Sequence, residues 1–370
     1  MRAVLVSHAY LDPANRGKLR ALAGLGCSLS VAVPDQWVSR DQAPPRKAEW
    51  GNDAGARIIP IPVTGQGPGR PGSWKSSALR RLLTDFRPEI IQVEEEPWTP
   101  VAATVVRLGA SLRVPVVLFG WSSLPGRLPP LASWRRRRTL ARVQGLLGAN
   151  KSAVAQLTRF RPDVPSAVMP QLGVTPPLDL ARDRKEGLSI GFTGRLVREK
   201  GLDLLFRACI KLAGAWRLTV VGSGPAQEEL EVLAERLGIA ARVRWLGALP
   251  AAEPGRLWPT FDCLVVPSRT TPQWVEAFHA PLVQAMGHGV TIIGTDSGAI
   301  PELIDTAGLV VPEDNVPALT AALQHLSDSP RERERFGREG RLRVMSEYTD
   351  DAVARRTMEF WERITHRRTS

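Results

Sequence analysis

Glu276, Gln284, Arg195 and Lys200 are the residues of this sequence whose types and spacing suit chemistry. Glu276 is the lone acid of VEAFHAPLVQAMGHGV, residues 275–290, and Gln284 follows one turn into a short helix that Pro281 opens. An apolar-faced helix needs neither group. The amides of Phe278, His279, Ala280 and Leu282 lie at the start of that helix, where N–H groups lack intrahelical partners and favour an anion. Glu276 can accept hydrogen bonds from sugar hydroxyls, and Gln284 suits a ribose diol. The expectation is a cradle for a nucleoside diphosphate and its sugar.

GFTGRLVREKG, residues 191–201, would supply the positive charge. A strand ends at Thr193, Gly194 permits a sharp turn, and Arg195 and Lys200 emerge before a helix near Leu202. Two cations beside a helix start suit a pyrophosphate, and a basic surface turn is the plain alternative. In VVGSGPAQEEL, residues 220–230, Gly222 and Gly224 follow a strand, but the third glycine of a dinucleotide fingerprint is missing. That segment reads as a tight turn, with Pro225 opening the next helix.

In the first half, His8 follows the first strand, where it can reach a substrate hydroxyl or be satisfied locally. VEEEPW places Glu94, Glu95 and Glu96 after another strand end, to orient acceptor hydroxyls or to cap the helix near Thr99-Pro100. FGWSSLPGRLPP offers Trp121 for stacking on a sugar or lipid, with Ser122 and Ser123 as hydrogen-bonding groups. The five histidines, His8, His279, His288, His325 and His366, show no metal-ligand spacing, so no metal is expected.

The elements that must hold these residues follow from the apolar pattern. AVLVS, SLSVAVP, RIIPIPV, EIIQV, PVVLFG and SAVMPQ alternate with amphipathic stretches such as SSALRRLLTDF. The pattern restarts with LSIGFT, RLTVVGSG, VRWLG, CLVVPS, VTIIGT and GLVVP. Strands buried on both faces and separated by helices imply parallel sheets. The fold class is therefore α/β, with two Rossmann-like, doubly wound domains facing across a cleft, where ligands bind at the carboxyl ends of strands. The expected boundaries are 1–178, 179–346 and a C-terminal helix, 347–370, returning to the N-terminal domain. LGVTPPLDLARDRKEG reads as the linker.

Composition narrows the function classes. A hydrophobic fraction of 43% and a charged fraction of 23% are those of a globular protein, and no stretch is long and apolar enough for a membrane span. Cys27, Cys209 and Cys263 are far apart and embedded in apolar segments, so free thiols and a reducing, cytoplasmic setting are expected. Residues 1–180 hold 24 Lys and Arg against 12 Asp and Glu, whereas residues 181–370 hold 25 of each. The net charge of +12 therefore belongs to the first half, including Arg135-Arg136-Arg137-Arg138 beside Trp134. Peripheral contact with an anionic membrane and a merely solvated basic face are both open readings. No nucleic-acid-reading module is recognisable, so no nucleic-acid partner is expected.

GRLVREKG, VVGSGP, VPSRTTPQWVEAF, QAMGHGVTIIGTDSGAIPELI and GLVVP occur in the order seen in retaining glycosyltransferases of the family 4 type, which have the GT-B fold. HAYLDPANRGKLRALA and PEIIQVEEEPW resemble the same family more loosely. The resemblance implies an enzyme that moves a sugar from a nucleotide-sugar donor to a glycan, lipid-linked or small-molecule acceptor, with retention and without a metal cofactor. It gives Gly194, Arg195 and Lys200 to the donor diphosphate, Glu276 to the transferred sugar and Gln284 to the ribose. Gln284 stands where the family has the second glutamate of its E-x7-E pair, and an amide makes weaker bonds there than a carboxylate. His279 stands where the family usually has glycine: it would reshape the pocket, or pair with phosphate if protonated. These departures leave a non-catalytic sugar-nucleotide-binding or scaffold protein as the alternative. In the enzyme reading His8 joins Glu276 as a catalytic candidate, Glu95, Trp121 and Ser122 lie on the acceptor side, and Glu276→Ala is expected to cut transfer while leaving the fold intact.

Overall fold

In a computed structural model of the chain, residues 1–38, 46–65, 67, 72–124, 126–178, 180, 186–249 and 256–366 are described. Part of the expected linker, residues 179 and 181–185, lies outside them. The chain divides into two compact units, Met1–Gly173 with Asp350–Ser370, and Val174–Thr349. The crossings fall after Gly173 and after Thr349, not at 178 and 346. Backbone pairing accounts for the difference: Val174 N–H donates to the Tyr348 carbonyl at 2.9 Å, and Val174 bridges Thr349 in parallel.

The first unit is built on an eight-stranded sheet. From one edge the order is Ser166–Val168, Gly145–Gly148, Val116–Gly120, Ile90–Glu94, Arg2–Val6, Ser28–Pro34, Ala56–Ile61 and Gly51–Asp53. All neighbours pair in parallel except the last two, which form an antiparallel hairpin. The central strands are buried along their whole length, which is why they are apolar apart from Gln92 and Glu94, whose polar atoms are hydrogen-bonded in the core. From Arg2–Val6 the chain first winds to one side and later resumes on the other with Ile90–Glu94. Such a reversal leaves a crevice at the carboxyl ends of the two strands. His8 and Glu94-Glu95-Glu96 follow or close those two ends.

The C-terminal helix Asp350–His366 belongs to this unit and packs on the helix Gly17–Gly24. It buries Val353, Phe360, Trp361 and Ile364. Gly145 makes room for it, since a Cβ there would come within 2.9 Å of Phe360 and Ile364. The Trp361 indole N–H donates to Gln92 Oε1 at 2.7 Å, so its polar edge is satisfied in the core.

The second unit has a six-stranded, wholly parallel sheet in the order Val243–Trp245, Trp216–Val221, Leu188–Thr193, Cys263–Val266, Thr291–Thr295 and Gly308–Val311. Its reversal lies between Leu188–Thr193 and Cys263–Val266. The Gly194–Lys200 turn follows the first of these strands, and Ser268 and Glu276 follow the second. One layer of core, including Ile190, Phe192, Leu205, Phe206 and Leu218, lies on one face. The other face holds Leu264, Leu282, Met286 and Ile292. All three cysteines are buried and free.

Two local expectations shift. The helix after Glu276 spans Ala280–Gly287, with His279 as its N-cap and Pro281 in its first turn. Pro225 does not open its helix, which begins at Gln227; Pro225 and Ala226 form the turn before it.

Candidate active site

In the second unit the strand reversal brings together residues far apart in sequence. Lys200 Nζ lies 2.5 Å from Glu276 Oε2, and Ser268 Oγ donates to the same oxygen at 3.1 Å. The Lys200 ammonium also sits 5.1 Å from the centre of the Trp274 ring. Glu276 is buried and Lys200 largely so. The carboxylate is thus held by a cation and a hydroxyl, with Oε1 left for another donor.

The backbone of Glu276 is pinned too. Its carbonyl accepts from Ala299 N–H at 2.8 Å, and Gly298, at φ +54, passes so near that a Cβ would meet that carbonyl oxygen at 2.2 Å. Only glycine suits both the conformation and the approach. The Thr295 hydroxyl donates to the Ser268 carbonyl at 2.5 Å, tying the same loop from below. Gly222, at φ +135, presses on the Gly194 turn, where a Cβ would meet the Gly194 carbonyl oxygen at 1.9 Å.

His279 corrects one expectation. The imidazole is buried, and its Nδ1 accepts from the Leu282 amide at 3.1 Å. Burial pushes its pKa down to about 4, aided by Lys200 and opposed by Glu276 and by the backbone carbonyls of His279 and Thr193. The ring is therefore neutral at physiological pH and cannot pair with phosphate as a cation. The Leu282 amide is shared between this ring nitrogen and the His279 carbonyl, at 3.0 Å, and is not free for an anion. The amides of Phe278 and Ala280 make no hydrogen bond among the described residues. Gln284 is half-buried, and its side-chain amide makes none. Arg195 is exposed on the turn after Gly194.

In the first unit, His8 Nδ1 lies 2.6 Å from Glu95 Oε1. The ring stacks on Trp37, 4.3 Å between centres, and meets Trp121 edge-on at 6.0 Å. Burial disfavours the charged ring, but Glu95, through charge and hydrogen bond, and Glu94 outweigh it and raise the pKa above its usual value. His8 and Glu95 form a dyad able to hold or donate a proton.

The three consecutive acids have three different partners, and none of them caps the next helix. Thr99 does that, accepting from Ala102 N–H at 3.3 Å. Glu94, wholly buried, takes Lys18 Nζ at 2.7 Å, Gln92 Nε2 at 2.7 Å and the Tyr10 hydroxyl at 3.1 Å on one oxygen, and Gln171 on the other. Glu96 accepts from the amides of Trp121 and Ser122 at 2.9 and 2.8 Å, and so holds the loop that carries them. Burial raises Glu96 to about 7, with the two amides opposing and Glu95 adding to the shift.

Several of these partners are not marked in the sequence. Ser268 could have been suspected, because it follows a strand end. Trp37, Trp274 and Lys18 carry no local signal.

Two family models match the chain: Glycosyl transferase 4-like domain over residues 14–171, and Glycosyl transferases group 1 over residues 187–329. A GDP-mannose-dependent monoacylated alpha-(1-6)-phosphatidylinositol monomannoside mannosyltransferase of Corynebacterium glutamicum is 28% identical over 286 residues, 70% of this chain and 72% of that protein. A 2-deoxystreptamine glucosyltransferase of Streptomyces kanamyceticus is 27% identical over 70% of this chain and 74% of its own length. An MMP alpha-(1->4)-mannosyltransferase of Mycolicibacterium hassiacum is 35% identical, but over only 36% of this chain and 32% of that protein. Among solved structures, a sucrose-phosphate synthase from Thermosynechococcus elongatus superposes with a TM-score of 0.74 at 18% identity, covering 98% of this chain and 99% of that one. HepE from Anabaena, in complex with UDP, superposes with a TM-score of 0.73 at 14% identity, covering 97% and 99%.

Proposed function

Since the chain belongs to the group 1, family 4-type glycosyltransferases of GT-B fold, we propose that it takes its sugar from a nucleoside-diphosphate donor, retains the anomeric configuration and needs no metal ion. The carrying observation is the buried Lys200–Glu276–Ser268 cluster, at the strand reversal and just ahead of a helix N-terminus that still has unbonded amides. Lys200, the Gly194 turn with Arg195, and the amides of Phe278 and Ala280 would bind the two phosphates. Glu276 would accept from sugar hydroxyls, and the uncommitted Gln284 amide would hold the ribose diol.

In this reading the bond from the anomeric carbon to the phosphate oxygen breaks as the acceptor oxygen bonds to the same face. The acceptor's proton passes to the leaving phosphate. The protein's share is to orient both substrates and to meet the charge on the departing diphosphate. On the acceptor side, Trp121 would stack on the acceptor, Ser122 and Glu95 would hydrogen-bond it, and His8, oriented by Glu95, would serve an acceptor or donor hydroxyl.

The C. glutamicum relative is named for GDP-mannose and a phosphatidylinositol mannoside. That supports a nucleotide sugar as donor and brings a lipid-linked acceptor among the candidates. The helix Pro130–Leu140 carries four arginines, of which Arg137 and Arg138 are exposed, together with Leu131 and Trp134 at 63% and 54%. This suits peripheral contact with anionic lipid at the inner face of a membrane, at about 1 kcal/mol per basic residue. No described helix is long and apolar enough to cross a membrane.

The test is a thermal-shift screen against GDP, UDP, ADP and dTDP and their sugars, then product analysis by NMR to read the anomeric configuration. Saturation at a hundred times Kd adds about 2.7 kcal/mol of apparent stability. A nucleotide sugar that stabilises the protein and is turned over with retention is expected. The capped Leu282 amide favours the second reading, a binder without turnover, and donor binding with no transfer to any acceptor tried would select it. Inversion, or an absolute metal requirement, would overturn the mechanism.

A further inference from the structure

We propose that His279 is a positioning residue for donor binding, an imidazole cap that orders the first turn of the helix Ala280–Gly287. The inference rests on the diphosphate reading of this site for its functional half, and on this unit's geometry alone for its structural half.

The backbone comes first. His279 has φ −114 and ψ 89, a conformation open to any residue, so nothing here demands glycine. A side chain is tolerated, and its direction then decides its role.

The ring is buried rather than reaching into open space. Its Nδ1 accepts from Leu282 N–H at 3.1 Å, as a capping oxygen would at this position. A ring nitrogen that accepts carries no hydrogen, so the hydrogen of the neutral imidazole is on Nε2. The backbone carbonyls of His279 itself and of Thr193 both favour a ring N–H. Charging the ring would put a second hydrogen on Nδ1, facing the Leu282 hydrogen, in a buried place. The charged groups that act on it, Glu276 and Lys200, pull in opposite directions and are already paired with each other. The ring stays neutral.

Thr193 immediately precedes the Gly194 turn, and Leu282 lies in the first turn of the helix. These are the two walls assigned to the diphosphate. The imidazole caps the helix wall. It occupies the Leu282 amide, and in return fixes where the free amides of Phe278 and Ala280 point relative to Lys200. The positive charge for phosphate is left to Lys200 and those amides.

The experiment uses the full chain with 15N-labelled histidine. The His279 ring, assigned by the signal lost in His279→Asn, should show the Nε2–H tautomer and keep it at pH 5, where a free imidazole is charged. Binding of GDP and UDP is then measured calorimetrically for wild type, His279→Gly and His279→Asn. His279→Gly should weaken the better of the two by about fivefold or more, the equivalent of one lost cap. His279→Asn, whose side-chain oxygen can take the same amide hydrogen, should recover most of that. With the nucleotide sugar the loss should appear in KM more than in kcat.

Tighter nucleotide binding by His279→Gly would show the ring to be an obstruction, and would overturn the proposal. So would a ring that titrates near 6.5. If His279→Gly does not fold, the wild-type ring signature and His279→Asn still decide. If wild type binds neither nucleotide, the donor reading and the functional half of this proposal fall together, while the tautomer alone judges the cap.

Discussion

Replacing Glu276 will cost folding stability as well as transfer, contrary to what the sequence suggests. The carboxylate lies 2.5 Å from Lys200, with side-chain exposures of 7% and 15%. At an effective dielectric near 20 the attraction at that distance is about 7 kcal/mol. Desolvating two ions cancels much of it, at several kcal/mol each. Single removal is the harsher change, because it leaves the other charge partly buried. In Glu276→Ala the ammonium keeps, among the described residues, the Trp274 face, and Ser268 loses its acceptor. We expect a loss of about 2–3 kcal/mol for Glu276→Ala, a similar loss for Lys200→Ala, and a double variant about 2 kcal/mol better than the sum. The assay is urea denaturation of the four proteins, read as midpoints with a common slope. Transfer should be lost in Glu276→Ala at urea concentrations where the variant is folded. Additive effects within about 0.5 kcal/mol would refute the buried pair, and wild-type transfer by Glu276→Ala would remove the sugar contact.

Three further outcomes follow from the same geometry. Glu96 is raised from 4.5 to about 7 in the folded state, so its contribution is fully present below pH 4.5 and is lost as pH rises through 7, a span of about 3 kcal/mol. Glu96→Gln should flatten stability over that window, and an unchanged pH profile would count against it. Lys18→Ala leaves Glu94 buried without its cation and should cost about 3–5 kcal/mol in urea unfolding, whereas Lys18→Met with Glu94→Gln should cost clearly less. Gly222→Ala forces a Cβ to within 1.9 Å of the Gly194 carbonyl oxygen at a φ of +135. It should lose about 2 kcal/mol or more and weaken nucleotide binding by shifting the phosphate turn, both measurable by thermal shift.

The sequence by itself determined the two α/β units, because a parallel strand covered on both faces must be apolar throughout, and crossover helices must separate such strands. It also placed Gly194, Lys200, Glu276 and Gln284 at strand ends and a helix start, since glycine and proline mark those turns. It did not determine who meets whom. Lys200 and Glu276 are 76 residues apart, and His8 and Glu95 are 87 apart. Their contact depends on which strands become neighbours at each reversal, and crossover packing decides that rather than local pattern. Nor could it assign the three acids of VEEEPW, whose different burial and partners make one an ion-pair partner, one a ring anchor and one a loop clasp. His279 is the sharpest case. Its residue type left open a reshaped pocket or a cation for phosphate, and only its burial against the helix start, where desolvation expels the charge, makes it a neutral cap.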